Sequence, residues 1–249
     1  MKKRLGAAAS RALDLLLPPS CPVTGERVAA PGLLSAAGWT EIKFIDDPVC
    51  ARCGAPFAHE HGEGVECAGC LAEPPSFDRA RAAVLYDDAT AKLIVGFKHS
   101  DRTELAQTLG RWLARAGASL IREGTILVPA PLHPRRLLAR RFNQAGMLAA
   151  VLARETGARF VPDALCRIRA TPPQKGLSRS GRRGNVAGAF AVNEDRRAMI
   201  LAAHVVLVDD VMTTGETLSA CARALKKGGA GSVDALVLAR ALRGGVDAL

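Results

Sequence analysis

Residues 204–218, HVVLVDDVMTTGETL, constrain this chain more than any other stretch. Val205, Val206, Leu207 and Val208 run without interruption into Asp209 and Asp210. A continuous run rich in β-branched residues is the pattern of a strand buried on both faces, as in a parallel sheet. A loop rich in hydroxyls follows: Thr213, Thr214, Gly215, Glu216, Thr217. From Glu216 to Lys227 the composition is helical, and Gly228-Gly229 supply a C-cap. The pattern predicts an α/β protein. Two adjacent carboxylates sit at the carboxyl end of a central strand, with a helix N-terminus opening behind them. Open α/β sheets bind ligands in that crevice.

Backbone N–H groups and threonine hydroxyls at a helix N-terminus hold a phosphate. Paired carboxylates hold hydroxyls or a divalent cation instead. A ribose 5-phosphate with free 2- and 3-hydroxyls needs both. The order is an apolar run, Asp-Asp, an apolar pair, Thr-Thr-Gly, one residue and Thr. It closely resembles the phosphoribosyl-pyrophosphate (PRPP) signature of type I phosphoribosyltransferases. That resemblance implies that Asp209 and Asp210 contact the ribose hydroxyls. It implies that Thr213, Thr214, Gly215, Glu216 and Thr217 cradle the 5-phosphate, and that Mg²⁺ accompanies PRPP. The bland alternative is an ordinary strand, loop and helix with an aspartate cap.

Seven cysteines occur. Four form Cys50-x-x-Cys53 and, after thirteen intervening residues, Cys67-x-x-Cys70. Each pair can present two thiolates on a tight turn, and two such knuckles make a tetrahedral sulfur site for structural Zn²⁺. Gly54 and Gly69 suit the turns. Disulfides are the alternative, disfavoured in a reducing compartment. His59 and His61 lie between the knuckles and are expected in solvent, since four thiolates complete the shell. Cys166 and Cys221 are expected to be buried.

Basic residues number 34 against 24 acids, a formal net charge of +10. Residues 133–183 hold twelve basic residues and two acids, so this block carries the whole excess. A block of this kind suits a polyanionic partner, either PRPP or nucleic acid. No run of eighteen apolar residues exists, so no membrane span is expected. At the N-terminus, Leu5, Ala9, Ala12 and Leu16 share one helical face, and Arg11 and Asp14 interrupt the apolar stretch. An amphipathic helix and a cytoplasmic protein are expected, rather than a signal peptide.

The cysteine module followed by the PRPP-like motif resembles the ComF (competence protein F) family. Its members carry zinc-ribbon segments ahead of a phosphoribosyltransferase-like domain. Two ribbons are common there. At the places of the first, this chain reads Cys21-Pro-Val-Thr24 and Ser35-Ala-Ala-Gly38-Trp39. Three of four ligands are missing, so that lobe is expected to hold no metal. The resemblance implies a module over residues 1–76, holding the N-terminal helix and ribbon. Residues 77–249 would form a type I phosphoribosyltransferase-like parallel sheet flanked by helices.

In that domain, strands are expected at 78–86, 125–128 and 232–240, and helices at 91–99, 105–116 and 135–156. The loop around His133, Arg135 and Arg136 would bind pyrophosphate. The block Arg140-Arg141-Phe142-Asn143-Gln144 departs from the family's Arg-Gly-Phe-Asn-Gln at Arg141. Asn143 and Gln144 are further candidates. Thr171, Gln174, Arg182 and Asn185 match a second family block, read as a mobile basic lid that excludes water and meets the pyrophosphate.

Two function classes follow. One is a ComF-like protein binding PRPP and Mg²⁺ and associated with DNA uptake in competence. Its partners would be helicase-type or other DNA-processing proteins, or single-stranded DNA. One Tyr, two Trp and seven Phe leave little stacking surface for bases, which favours an adaptor over a strong single-strand binder. The alternative is a catalytically active phosphoribosyltransferase of nucleotide or amine metabolism, although no acceptor pocket or general base is legible.

Overall fold

A computed structural model describes residues 18–60, 62–99, 104–132, 142–169 and 184–242. The expected N-terminal helix lies outside these residues. So do His61, His133, Arg135, Arg136, Thr171, Gln174 and Arg182.

Five parallel strands form the central sheet, in the order β1-β7-β6-β2-β3. They are β1 (Ala80–Leu85), β2 (Ile126–Pro129), β3 (Arg159–Phe160), β6 (His204–Met212) and β7 (Ser232–Arg240). The apolar run of β6 does occupy the interior, with β7 on one side and β2 on the other. Alternation sends Val206 and Val208 to one face and Val205 and Leu207 to the other, and all four are fully buried. Against the first face pack α3 (Asp88–His99), α4 (Leu105–Ala116) and α5 (Gln144–Thr156), through Leu93, Phe97, Leu113, Leu148 and Leu152. Against the second packs α7 (Glu216–Lys227), through Leu218, Cys221 and Leu225. Each helix turns its apolar stripe to the sheet. A short antiparallel pair, β4 (Leu165–Arg167) and β5 (Phe190–Val192), lies beside that face. A one-turn helix, α6 (Arg197–Ile200), leads into β6.

Two expectations need correction. The helix anticipated over 135–156 begins at Gln144, because Asn143 is extended (φ −94°, ψ 111°) and caps it, accepting from Ala145 N–H at 3.1 Å. An N-cap side chain satisfies an amide that the helix itself leaves free. Cys166 is exposed, since the two-stranded β4–β5 pair covers only one of its faces. Cys221 is buried as expected.

Ahead of the sheet stand two small lobes built alike. Ser20 bridges Arg27 in the first, as Val49 bridges Pro56 in the second. The amides of Gly25 and Gly54 close tight turns onto the carbonyls of Cys21 and Cys50, at 2.8 and 2.9 Å. Helix α1 (Ala36–Glu41) starts from Ser35, and α2 (Ala68–Ala72) starts from Cys67. Segment 43–45 then runs beside β1, with Phe44 bridging Val84.

Candidate functional site

In the second lobe the Sγ atoms of Cys50, Cys53, Cys67 and Cys70 lie within 4.8 Å of one another. Cys53 Sγ and Cys67 Sγ are 3.7 Å apart. A tetrahedral zinc with Zn–S bonds of about 2.3 Å has S···S edges of about 3.8 Å, so the four sulfurs fit that ion. Amides of Cys53 and Cys67 donate to Cys50 Sγ at 3.4 and 3.2 Å, stabilising it as thiolate. Hydrogen bonds from the Cys53 and Cys70 thiols also hold Cys50 far below the ordinary thiol range. These residues form a structural Zn²⁺ site.

The equivalent positions of the first lobe, Cys21, Thr24, Ser35 and Gly38, come together in the same way but do not fit a metal. Thr24 Oγ1 and Ser35 Oγ are 3.0 Å apart, and Ser35 Oγ accepts from Gly38 N–H at 3.0 Å. A Cβ on Gly38 would stand 2.6 Å from Cys21 Sγ, so only glycine lets the backbone approach. Burial alone would push the Cys21 thiol up. Hydrogen bonds from Thr24 and Ser35, through hydroxyl and backbone, bring it down to about 6. One sulfur and two hydroxyls take the place of a metal and its ligands.

At the carboxyl end of the sheet, β6 delivers Asp209 and Asp210 to opposite faces, following the strand's alternation. Asp210 meets Lys98 of α3, Nζ to Oδ2 at 2.7 Å. Asp209 Oδ1 accepts from the Asp210 amide at 2.9 Å. Burial, then the neighbouring Asp210 charge, pushes Asp209 up to about 7. Past Met212 the chain turns at Gly215, whose φ of +77° is open to glycine at little cost, and α7 begins at Glu216. Asp209 and residues 211–218 line a cavity of about 50 Å³ in front of this helix start. Glu216 is buried in the first turn.

The motif residues Asp209, Thr213, Thr214, Gly215, Glu216 and Thr217 therefore meet at one cavity, whereas Asp210 points to the other face of β6, toward Lys98. Asn143 is a structural piece instead: it caps α5 and donates to Ala130 O at 3.2 Å. Gln144 is buried inside the fold. Lys98 was missed as a site residue, because its partner lies on a distant strand. A lysine following the apolar run Leu93, Ile94, Val95 and Phe97 was the available signal.

Asp209 supplies a pH test. Its carboxyl ionises near pH 7 in the fold and near 3.8 as an ordinary aspartate. The folded protein therefore bears a penalty that is small at pH 4, grows as pH rises from there to about 7 and levels off above it. Asp209→Asn keeps an oxygen for the Asp210 amide and removes the charge. The full shift corresponds to about 4 kcal/mol, and partial solvation of the group reduces it to about 2. Thermal unfolding should show the variant about 5 °C more stable than wild type at pH 8 and nearly equal at pH 4. The same gain at both pH values would refute the assignment.

Among proteins of known sequence, a double zinc ribbon domain model matches residues 12–71, and a phosphoribosyl transferase domain model matches residues 147–247. DNA utilization protein YhgH of Escherichia coli K12 is 34% identical over 203 residues, covering 79% of this chain and 86% of that protein. YhgH of Salmonella typhimurium is 32% identical, covering 78% and 85%. Competence protein F of Haemophilus influenzae is 31% identical over the same shares. Both modules match in order, and these relatives are 31–34% identical over about four-fifths of the chain, so the chain belongs to the ComF family of YhgH and competence protein F.

Proposed function

We propose that the chain binds PRPP, or a related ribose 5-phosphate, together with Mg²⁺, and acts in DNA utilization or competence as its relatives' names indicate. The observation that carries this reading is the joining of two carboxylates at the end of β6 to the glycine turn that opens α7. Thr213, Thr214, Gly215 and Thr217 would hold the 5-phosphate with backbone N–H groups and hydroxyls, at the positive end of the helix dipole. Asp209 and Asp210 would meet the 2- and 3-hydroxyls from the two sides of the strand. A divalent cation would bind there with the pyrophosphate and neutralise its charge. Lys98 keeps Asp210 from standing as an uncompensated charge while the site is free.

Arg135, Arg136 and Arg182 remain the proposed pyrophosphate contacts; they lie outside the described residues. Helicase-type or other DNA-processing partners, single-stranded DNA and a cytoplasmic location also belong to this proposal. Among the described residues no helix is long and apolar enough to cross a membrane.

The test is thermal shift with PRPP, ribose 5-phosphate, nucleoside monophosphates and a short DNA strand, each with and without Mg²⁺. A ligand at a hundred times its Kd adds about 2.7 kcal/mol to stability, so PRPP with Mg²⁺ should raise Tm by about 5–10 °C. No shift with any ribose phosphate at millimolar concentration, together with a shift from DNA, would replace the PRPP site with a nucleic-acid site.

A further inference from the structure

The loop after β6 has a cavity on each side. One is the candidate phosphate cradle. The other, also about 50 Å³, separates the loop from the four-cysteine lobe, with Cys53, Cys70, Phe77, Thr213, Gly215 and Arg240 among its walls. The lobe therefore backs directly onto the loop.

Arg240 bridges the two. It ends β7 as the register partner of Met212, which ends β6. The residue is only 9% exposed. One terminal nitrogen donates to Cys53 O at 2.8 Å and lies 3.7 Å from Met212 Sδ. The other donates to Cys53 Sγ at 3.2 Å, and Nε has no partner among the described residues. Among the described residues Arg240 forms no ion pair with a carboxylate. A buried guanidinium without a counter-charge is costly. Four thiolates around one Zn²⁺ carry two negative charges in excess, and a donor to a metal-bound thiolate orients that ligand. The zinc lobe is thus the partner this cation has.

We infer that Arg240 is a positioning residue that makes the shape of the phosphate loop depend on metal occupancy. With zinc in place, Cys53 holds the guanidinium against Met212, and the chain from Met212 to Gly215 is fixed. When the metal leaves, Cys53 moves off, the cation loses its partner, and the loop loosens. The inference rests on reading that loop as the phosphate site, but the coupling can be measured without any ligand.

Hydrogen–deuterium exchange on the full chain, zinc-loaded and chelator-stripped, is the first arm. Stripping should speed exchange in residues 50–72. It should also speed exchange about tenfold in residues 212–218, while residues 144–156 on the far face stay protected. In Arg240→Met, residues 212–218 should exchange fast already and respond less than twofold to stripping. The second arm is binding of PRPP with Mg²⁺. Zinc should strengthen it about tenfold in wild type, and PRPP should raise zinc affinity, measured by equilibrium competition with a chromogenic chelator, by the same factor, since coupling is reciprocal. Both effects should vanish in Arg240→Met. Unchanged exchange at 212–218 in stripped wild type overturns the inference, as does full zinc dependence in the variant. If Arg240→Met does not fold, the wild-type exchange comparison and Arg240→Lys decide. If PRPP fails to bind zinc-loaded wild type, the ligand reading falls, and the exchange arm alone still decides the coupling.

Discussion

Cys50→Ser is expected to abolish zinc binding and unfold the second lobe, leaving most of the sheet domain folded. Cys50 is fully buried and accepts the amides of both knuckles, so it joins the two halves of the lobe. A serine hydroxyl is neither a thiolate nor long enough to take its place. The lobe has few buried apolar side chains of its own beyond the cysteines, Ala55 and Phe57. Metal-linked folding energy in such sites is about 10 kcal/mol or more, well above what that small core supplies. The loss should spread to β1, because Ala80 N–H donates to Arg52 O at 2.6 Å and Arg81 donates to Ala51 O at 3.2 Å. Strands β2, β6 and β7 should stay protected from exchange. Native mass spectrometry should find one zinc per wild-type chain and none in the variant. Two zincs in wild type would contradict the metal-free first lobe, and none would contradict the site itself.

The double variant Asp209→Asn, Asp210→Asn should lose affinity for PRPP with Mg²⁺ by about a thousandfold. Each carboxylate would accept charge-assisted hydrogen bonds, and losing two such contacts costs about 4 kcal/mol. The double variant also frees Lys98 from its 2.7 Å pair with Asp210, and that cation can then turn to solvent or to the ligand. Because Asp209→Asn removes a buried charge, the double variant should unfold no earlier than wild type at pH 8. Calorimetry on a well-folded variant thus separates lost recognition from lost structure. Equal PRPP affinity in wild type and variant would remove the ribose from this site.

The sheet domain was legible because its signals are local. Four consecutive apolar residues specify burial on both faces, and Gly215 marks the turn into a helix whose bounds, Glu216–Lys227, follow from composition. The two knuckles are equally local, since spacing alone sets which thiolates can share one ion. The start of α5 was misplaced because the apolar periodicity of residues 138–152 continues through Asn143, and only a hydrogen bond to the Ala145 amide reveals a cap. Cys166 was misread for a related reason. A lone thiol outside the knuckles behaves as a small apolar side chain, which suggests burial, yet a two-stranded pair has no second layer to provide it.

The residue pattern was enough for four of the five sheet strands and for the PRPP-like motif, but not for the two-residue β3. It also determined which four cysteines form the cluster and that the first lobe lacks three of four sulfur ligands. What those pieces touch follows from the packing of the folded chain. Lys98 reaches Asp210 because α3 packs on the face of β6 toward which Asp210 points. Thr24, Ser35 and Gly38 replace a metal because the first lobe keeps the fold of the second. Arg240 reaches Cys53, 187 positions away, because β7 lies between β1 and β6 and ends beside Met212. The physical reason is the same in each case. Side-chain periodicity is written residue by residue, whereas strand order and the packing of one lobe on another are set by the balance of the whole core.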